Sequence, residues 1–341
     1  RDTDRSRGLG DVYKRQVFEA ASNHRYDTGD YDKFDGMLGT EADFASLVAA
    51  AEKFGIKLIL DGVFNHTGSD SVYFNKYGRY PSLGAYQSEN SPYFKWYNFI
   101  SFPDSYASWW GFDTLPDVNE DEPSYAEFIA GEKGVIARYT AMGLGGWRLD
   151  VADELPDGFI RKIRAALKRA NENALLIGEV WEDASNKVSY NVRRRYFQGA
   201  ELDGVMNYPF KAAAIRFVKE GDAQYFANCV RTLLDHYPKQ SLDVCMNILG
   251  THDTKRILTE LADNAPRTSD KNVWARFRLQ GDDYARAKER LKTASLLQYT
   301  VPGVPCVYYG DEAGMQGYKD PLNRLPFPWG KEDAELTEWY R

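Results

Sequence analysis

Carboxylates, a guanidinium and imidazoles follow four short apolar runs of this sequence, and their types suit acid–base work on a neutral polar substrate. Residues 56–60 run into Asp61, with Asn65-His66 just beyond, and Gly146-Trp147 leads to Arg148 and Asp150. Residues 175–178 end at Glu179, and residues 244–249 are followed by His252-Asp253. Arg148 and Asp150 are two apart in an extended run, so their side chains share a face and can touch. A guanidinium beside Asp150 is expected to lower its pKa and keep it ionised, as a nucleophile requires. Glu179 precedes the apolar Val180 and Trp181, where partial desolvation is expected to raise its pKa toward that of a general acid. Two carboxyls with divergent pKa values equip a chain for glycoside hydrolysis. Neighbouring strands lie about 4.8 Å apart, which suits the carboxyl separation of about 5 to 5.5 Å in a retaining enzyme. Taken alone, Arg148 and Asp150 could instead be a buried ion pair stabilising a barrel mouth, but that reading leaves Glu179 and Asp253 unexplained. Of the four histidines, His24, His66 and His252 lie in or near these clusters, and His236 looks incidental.

The elements that must position these residues alternate. A pattern near helical period over residues 41–54 leads through Gly55 into the strand ending at Asp61. The spacing next predicts a helix over residues 124–142, a strand over 146–150, a helix over 157–170 with Phe159, Ile163, Ala166 and Leu167 on one face, and a strand over 175–179. Further strands are predicted over 202–207, 244–249 and 305–309, with a stub at Val17. Strands alternating with helices imply a parallel sheet, and with no Gly-rich dinucleotide turn the expected fold is an α/β (β/α)8 TIM barrel. Polar residues at the C-terminal ends of barrel strands are functional candidates, because the strand interiors must pack. The catalytic barrel is assigned to residues 17–66 and 124–341. Residues 67–123 break the alternation, carry fifteen Tyr, Phe and Trp residues from Tyr73 to Phe112, and read as an inserted subdomain after strand 3.

Composition sets outer bounds. A chain of 341 residues with 43% hydrophobic content can hold one such barrel. The formal charge of −7 argues against a nucleic-acid partner. No apolar run approaches the roughly 20 residues of a membrane helix. Cys229, Cys245 and Cys306 have no metal-ligand spacing and are expected to be buried free thiols. Residues 1–16 are charged, lack apolar periodicity and read as neither a signal peptide nor a strand. Asp11-Val12-Tyr13-Lys14-Arg15-Gln16 resembles what a transposon-end adapter of sequencing libraries encodes in frame, so residues 1–16 are expected to be a non-native leader. Both ends read as cut, with strand 1, most of strand 2 and a C-terminal domain expected to be missing. No location is read from the sequence, with the cytoplasm as the default.

These stretches resemble, in order, the signature regions of the α-amylase family, glycoside hydrolase family 13. Asp61-Gly62-Val63-Phe64-Asn65-His66 looks like the first region and Gly146-Trp147-Arg148-Leu149-Asp150 like the second. Gly178-Glu179-Val180-Trp181 looks like the third, and Gly250-Thr251-His252-Asp253 like the fourth. The resemblance implies that Asp150 is the nucleophile, Glu179 the acid/base, and Asp253 a third carboxylate that binds sugar hydroxyls and stabilises the transition state. It implies further that His24, Asp61, His66, Arg148, Trp181 and His252 belong with substrate binding, that Tyr26 stacks under the sugar, and that Asp320 and Arg324 grip the next sugar. Asp61 to Gly68, Met206-Asn207-Tyr208-Pro209 and Gly310-Asp311-Glu312 look most like the cyclomaltodextrinase, neopullulanase and maltogenic amylase group. Leu115-Pro116-Asp117-Val118-Asn119 departs from that group's usual Met-Pro-Lys-Leu-Asn, and Asp117 is similar to the oligo-1,6-glucosidase side.

The resemblance implies hydrolysis of α-1,4 and α-1,6 glucosidic bonds in maltooligosaccharides, cyclodextrins or pullulan. No cofactor is needed for the chemistry, and members often bind a structural calcium, with Asn65 a weak pointer to it. The intact parent is expected to be a homodimer through a missing N-terminal domain. A transglycosylase would share every catalytic residue, because sugar can intercept the covalent intermediate in place of water. A non-catalytic, transporter-associated barrel is expected to lack a carboxylate, and a metal-dependent barrel hydrolase would need a close His pair that the sequence lacks.

Overall fold

The computed structural model describes residues 11–13 and 16–341. The chain divides into two compact units, Arg1–Glu179 with Asn186–Asp203 and Val180–Ser185 with Gly204–Arg341.

In chain order the first unit contains β1 (Asp11–Tyr13), β2 (Phe18–Ala20), β3 (Thr28–Phe34), α1 (Glu41–Lys53) and β4 (Lys57–Gly62). There follow β5 (Phe99–Ser101), β6 (Ser105–Tyr106), α2 (Pro123–Ala130), α3 (Val135–Thr140), β7 (Gly146–Leu149), α4 (Asp157–Ala170), β8 (Leu175–Gly178), β9 (Val188–Ser189) and β10 (Val192–Arg193). β1, β4, β7 and β8 pair in that order, all parallel. Leu58, Ile59, Leu60, Trp147, Leu149, Leu176 and Ile177 are all buried, as strands covered on both faces require. The close pairing of β7 with β8 depends on Gly146, where a Cβ would meet the Leu175 carbonyl oxygen at 2.2 Å.

Local chemistry explains the helices. Thr40 starts α1 with a capping box, its hydroxyl accepting from the Asp43 N–H while the Asp43 carboxylate accepts from the Thr40 N–H. α4 buries Phe159, Ile160, Ile163, Ala166 and Leu167, the face predicted plus Ile160. The single helix predicted over 124–142 is two, α2 and α3. Gly131 caps α2, and at Gly134 a Cβ would meet the Ile129 carbonyl oxygen at 2.7 Å, so the chain turns there instead of continuing. Within residues 67–123 the rings of Phe74, Tyr97, Phe99 and Tyr106 pack on one another.

Two readings at the start of the chain need correction. Asp11–Tyr13, excluded from the fold as part of a leader, pair parallel with Lys57–Ile59 as β1. Backbone groups on the free edge of β4 accept any extended segment, so ladder pairing does not need the apolar periodicity that the sequence lacks there. The stub at Val17 becomes β2, which pairs antiparallel with β3 rather than joining the parallel sheet. Residues 1–10, 14 and 15 lie outside the described residues.

The second unit contains β11 (Gly204–Val205), α5 (Tyr208–Glu220), α6 (Ala223–His236), α7 (Lys239–Leu242) and β12 (Met246–Ile248). It continues with α8 (Ile257–Glu260), α9 (Lys271–Arg276), α10 (Gly281–Thr300), β13 (Val304–Cys306) and α11 (Ala334–Tyr340). β12 pairs parallel with β13, and Met206 bridges Met246 in parallel. Asn207 and Gln298 fasten β12, through Asn207 Nδ2 to Asn247 Oδ1 at 3.0 Å and Gln298 Nε2 to the Asn247 carbonyl at 2.6 Å. The three cysteines are free, but only Cys245 is buried, with Cys229 and Cys306 half-buried. Among the described residues no helix is long and apolar enough to cross a membrane.

The packing of α4 yields a stability prediction. Ile163 is fully buried, so Ile163→Ala should cost about 2–5 kcal/mol in urea unfolding. The exposed neighbour Lys162, changed to Ala, should shift stability by no more than about 0.5 kcal/mol. Equal effects would show that α4 does not bury the predicted face.

Candidate active site

Strand register builds the site in the first unit. Asp61 of β4 lies opposite Arg148 of β7, which lies opposite Ile177 of β8. Asp150 and Glu179 stand just past the ends of β7 and β8, each tied by its backbone N–H to the neighbouring strand, at Gly62 O and Leu149 O, both at 3.0 Å. Three carboxylates from three adjacent strands thereby reach one guanidinium. Arg148 Nη1 lies 2.7 Å from Asp61 Oδ1 and 2.6 Å from Asp150 Oδ1, and Nη2 lies 2.6 Å from Glu179 Oε2. Arg148 and Asp61 are wholly buried, and Asp150 and Glu179 nearly so.

This crowding corrects the expected ionisation of Asp150. Burial pushes its carboxyl well above its ordinary value of 3.8, and Glu179 and Asp61 push it the same way, while Arg148 only partly opposes them. One guanidinium shared by three buried carboxylates does not fully offset the burial and crowding around Asp150. Glu179, expected among apolar neighbours, instead accepts a hydrogen bond from the Val151 N–H at 2.9 Å. Val151 achieves this with φ 38°, a left-handed backbone that a β-branched residue rarely adopts.

Other predicted residues gather here. The Tyr26 hydroxyl donates to Asp61 Oδ2 at 2.7 Å, and His24 Nδ1 accepts from the Tyr26 N–H at 3.1 Å. His66 is buried, and burial followed by the nearby His24 lowers its pKa to about 3 despite its bond to Tyr26. The ring is therefore neutral at pH 7, with Nε2–H donating to the Tyr26 carbonyl at 3.0 Å. Trp109 lies against His66, ring centroids 5.5 Å apart.

The remaining candidates belong to the second unit. His252 Nε2 lies 3.0 Å from Asp253 Oδ2, and Arg324 Nη2 lies 3.6 Å from Asp253 Oδ1. Arg324 also holds Asp320 at 2.7 Å, the pair that the family likeness singled out. Trp181 stacks on Tyr208, centroids 4.0 Å apart and planes 14° apart. The sequence reading assigned no role to Val151, Trp109 or Tyr208. Tyr208 carried a signal as part of Met206-Asn207-Tyr208-Pro209, and Trp109 as one of the aromatic residues of the inserted segment.

Asn65 is the residue that the sequence pointed to for calcium. Asn65 Oδ1 is buried without a hydrogen-bond partner among the described residues, but no group of three or more His, Cys, Asp or Glu among them could hold a metal ion.

Parallel α/β units with acidic side chains concentrated at strand C-terminal ends define the barrel-enzyme class. The chain belongs to the α-amylase family: the family described as alpha amylase, catalytic domain, matches residues 8–338. Its fold class is that family's α/β (β/α)8 barrel. The chain is 39% identical over 367 residues to an amylopullulanase of Thermoanaerobacterium thermosulfurigenes, covering 98% of this chain and 19% of that protein. A cyclomaltodextrinase of a Bacillus species is 33% identical over 345 residues, covering 98% of this chain and 54% of that protein. Among solved structures, the cyclic alpha-maltosyl-(1→6)-maltose hydrolase of Arthrobacter globiformis superposes with a TM-score of 0.80 at 28% identity, covering 97% of this chain and 68% of that one. The chain thus spans about a fifth of the amylopullulanase and about half of the cyclomaltodextrinase.

The carboxylate cluster predicts a pH effect on stability. The folded state holds the Asp150 proton more tightly than the unfolded chain does, so Asp150 contributes most to stability below 3.8 and loses that contribution as pH rises from there. Asp150→Asn should therefore melt about 2–4 °C higher than the unmodified chain at pH 7, with the gain shrinking toward pH 4. A lower melting temperature at pH 7 would contradict the crowding of the three carboxylates.

Proposed function

We propose that this chain carries the catalytic machinery of a retaining α-glucan hydrolase, cleaving α-1,4 and α-1,6 glucosidic bonds in maltooligosaccharides, cyclodextrins or pullulan. The observation that carries the proposal is the shared guanidinium, with Asp150 and Glu179 each 2.6 Å from Arg148 at the ends of adjacent strands. This sharing suits the short carboxyl separation of retaining enzymes. Family membership supports the same chemistry, as do relatives whose names include amylopullulanase and cyclomaltodextrinase.

The residues divide the work as follows. Asp150 in its ionised form attacks the anomeric carbon as the bond to the leaving oxygen breaks, and Glu179 gives that oxygen its proton. The result is a glucosyl ester on Asp150 and an ionised Glu179. Glu179 then takes a proton from water, the water oxygen attacks the anomeric carbon, and Asp150 leaves as carboxylate. This cycle starts with one proton on Glu179 and an ionised Asp150, as a general acid and a nucleophile require. Arg148 stabilises Asp150 when it departs as an anion, and the Val151 N–H orients Glu179. Asp253, held by His252 and Arg324 in the second unit, binds sugar hydroxyls, as the family likeness implies. The neutral His66 and the Tyr26 ring, fixed by its bond to Asp61, line the sugar site, while Asp320 and Arg324 grip the next sugar.

Turnover of pullulan and cyclodextrin tests this reading. Asp150→Asn and Glu179→Gln should each lower kcat by about 10²-fold or more, with maltotriose binding nearly unchanged. Turnover like that of the unmodified chain in either variant would overturn the assignment.

A further inference from the structure

Two loops of the first unit raise large aromatic rings into solvent, and both rings are tied to one carboxylate. Trp110 is 77% exposed and Tyr190 is 70% exposed. Trp110 Nε1 donates to Glu154 Oε1 at 3.2 Å, and the Tyr190 hydroxyl donates to Glu154 Oε2. Neither ring sits where its residue type is at ease, since both have φ 51°, a left-handed backbone. Tyr190 and Asn191 form the two-residue tip joining β9 to β10, a turn that needs left-handed backbone at both positions. Asn takes that conformation readily and Tyr does not. A large apolar ring on a strained, exposed tip does nothing for folding, and such strain concentrates at functional sites.

The surroundings fix both tips. Ser189 Oγ donates to the Asp153 carbonyl at 2.9 Å, Lys187 pairs with Asp153 at 2.9 Å, and the Tyr196 hydroxyl donates to Asp153 at 2.6 Å. On the other side Asp117 bridges His66 along the backbone, Ser108 bridges Pro116, and the Trp109 ring lies against both His66 and Trp110. Glu154 ends the short turn leaving β7, four residues beyond Asp150. The rings thus stand by the same strand ends as the carboxylate cluster. With the Trp N–H and Tyr O–H both engaged, they offer apolar faces beside a carboxylate. That combination matches a pyranose, whose C–H face stacks on rings and whose hydroxyls donate to carboxylates.

We propose that Trp110 and Tyr190, spaced by Glu154, form a sugar-ring platform that takes a glucosyl unit of a longer α-glucan chain, outside the positions flanking the cleaved bond. The platform rests on the α-glucan reading above and extends it to chain length. Short substrates fill only the bond-cleaving positions, whereas longer chains also reach the rings.

The test compares binding of maltoheptaose and maltotriose by calorimetry to the chain and to its Trp110→Ala, Tyr190→Ala and Trp110→Phe variants, all carrying Glu179→Gln so that neither sugar is cleaved. Each alanine variant should weaken maltoheptaose binding about 3- to 10-fold and leave maltotriose binding within about twofold. Trp110→Phe, which keeps a ring face, should restore most of the loss. Both positions are exposed, so melting temperatures should not change, and if one variant folds poorly the other, on the opposite loop, gives the answer. Equal losses for both sugars, no loss for either, or loss of self-association instead of sugar binding would overturn the platform. Length-dependent binding without hydrolysis of any α-glucan by the unmodified chain would uphold the platform while contradicting the proposed function.

Discussion

A single buried guanidinium holding three carboxylates constrains the rest of the first unit. Bringing these charges out of water is costly, and their mutual attraction offsets that cost only when the geometry is close and further hydrogen bonds are made. The parallel ladder supplies the geometry. β4, β7 and β8 fix Asp61, Arg148 and the strand ends in register, and a slip of one residue would turn Arg148 and Asp150 to the opposite face. Apolar residues such as Leu149 and Ile177 hold the strands in place. Val151 accepts a strained backbone so that its N–H can hold Glu179. Each device costs stability locally, and the surrounding apolar packing offsets the loss.

The second unit applies the same logic with a lighter charge. Asp253 keeps a third of its side chain exposed and has both His252 and Arg324 beside it, so it carries no comparable excess of buried negative charge. The difference suits different work. In the proposed function Asp253 binds hydroxyls and needs access, whereas Asp150 and Glu179 attack and protonate in a dry site.

The legible part of this arrangement was local. Two-residue spacing put Arg148 and Asp150 on one face, and helix–strand alternation made β7 and β8 neighbours, which set Glu179 at the strand end beside Asp150. The ionisation of Asp150 was not legible, because it depends on burial and on both Glu179 and Asp61, and Asp61 lies 87 residues before the Arg148 they share. A pairwise rule cannot anticipate three-way sharing. Backbone pairing of Asp11–Tyr13 escaped notice because side-chain periodicity does not report on open strand edges. The break between α2 and α3 could have been read from Gly131 and Gly134. Trp110 and Tyr190 stood out neither by charge nor by period, and only their exposure and shared partner Glu154 mark them.

The claim that Asp150 attacks the sugar is tested most directly by trapping the covalent intermediate. A fluorinated α-glucosyl fluoride that forms the ester faster than water removes it should label the protein once, and peptide mass spectrometry should place the label on Asp150. A label on any other residue, or inactivation without a covalent sugar, would contradict the account.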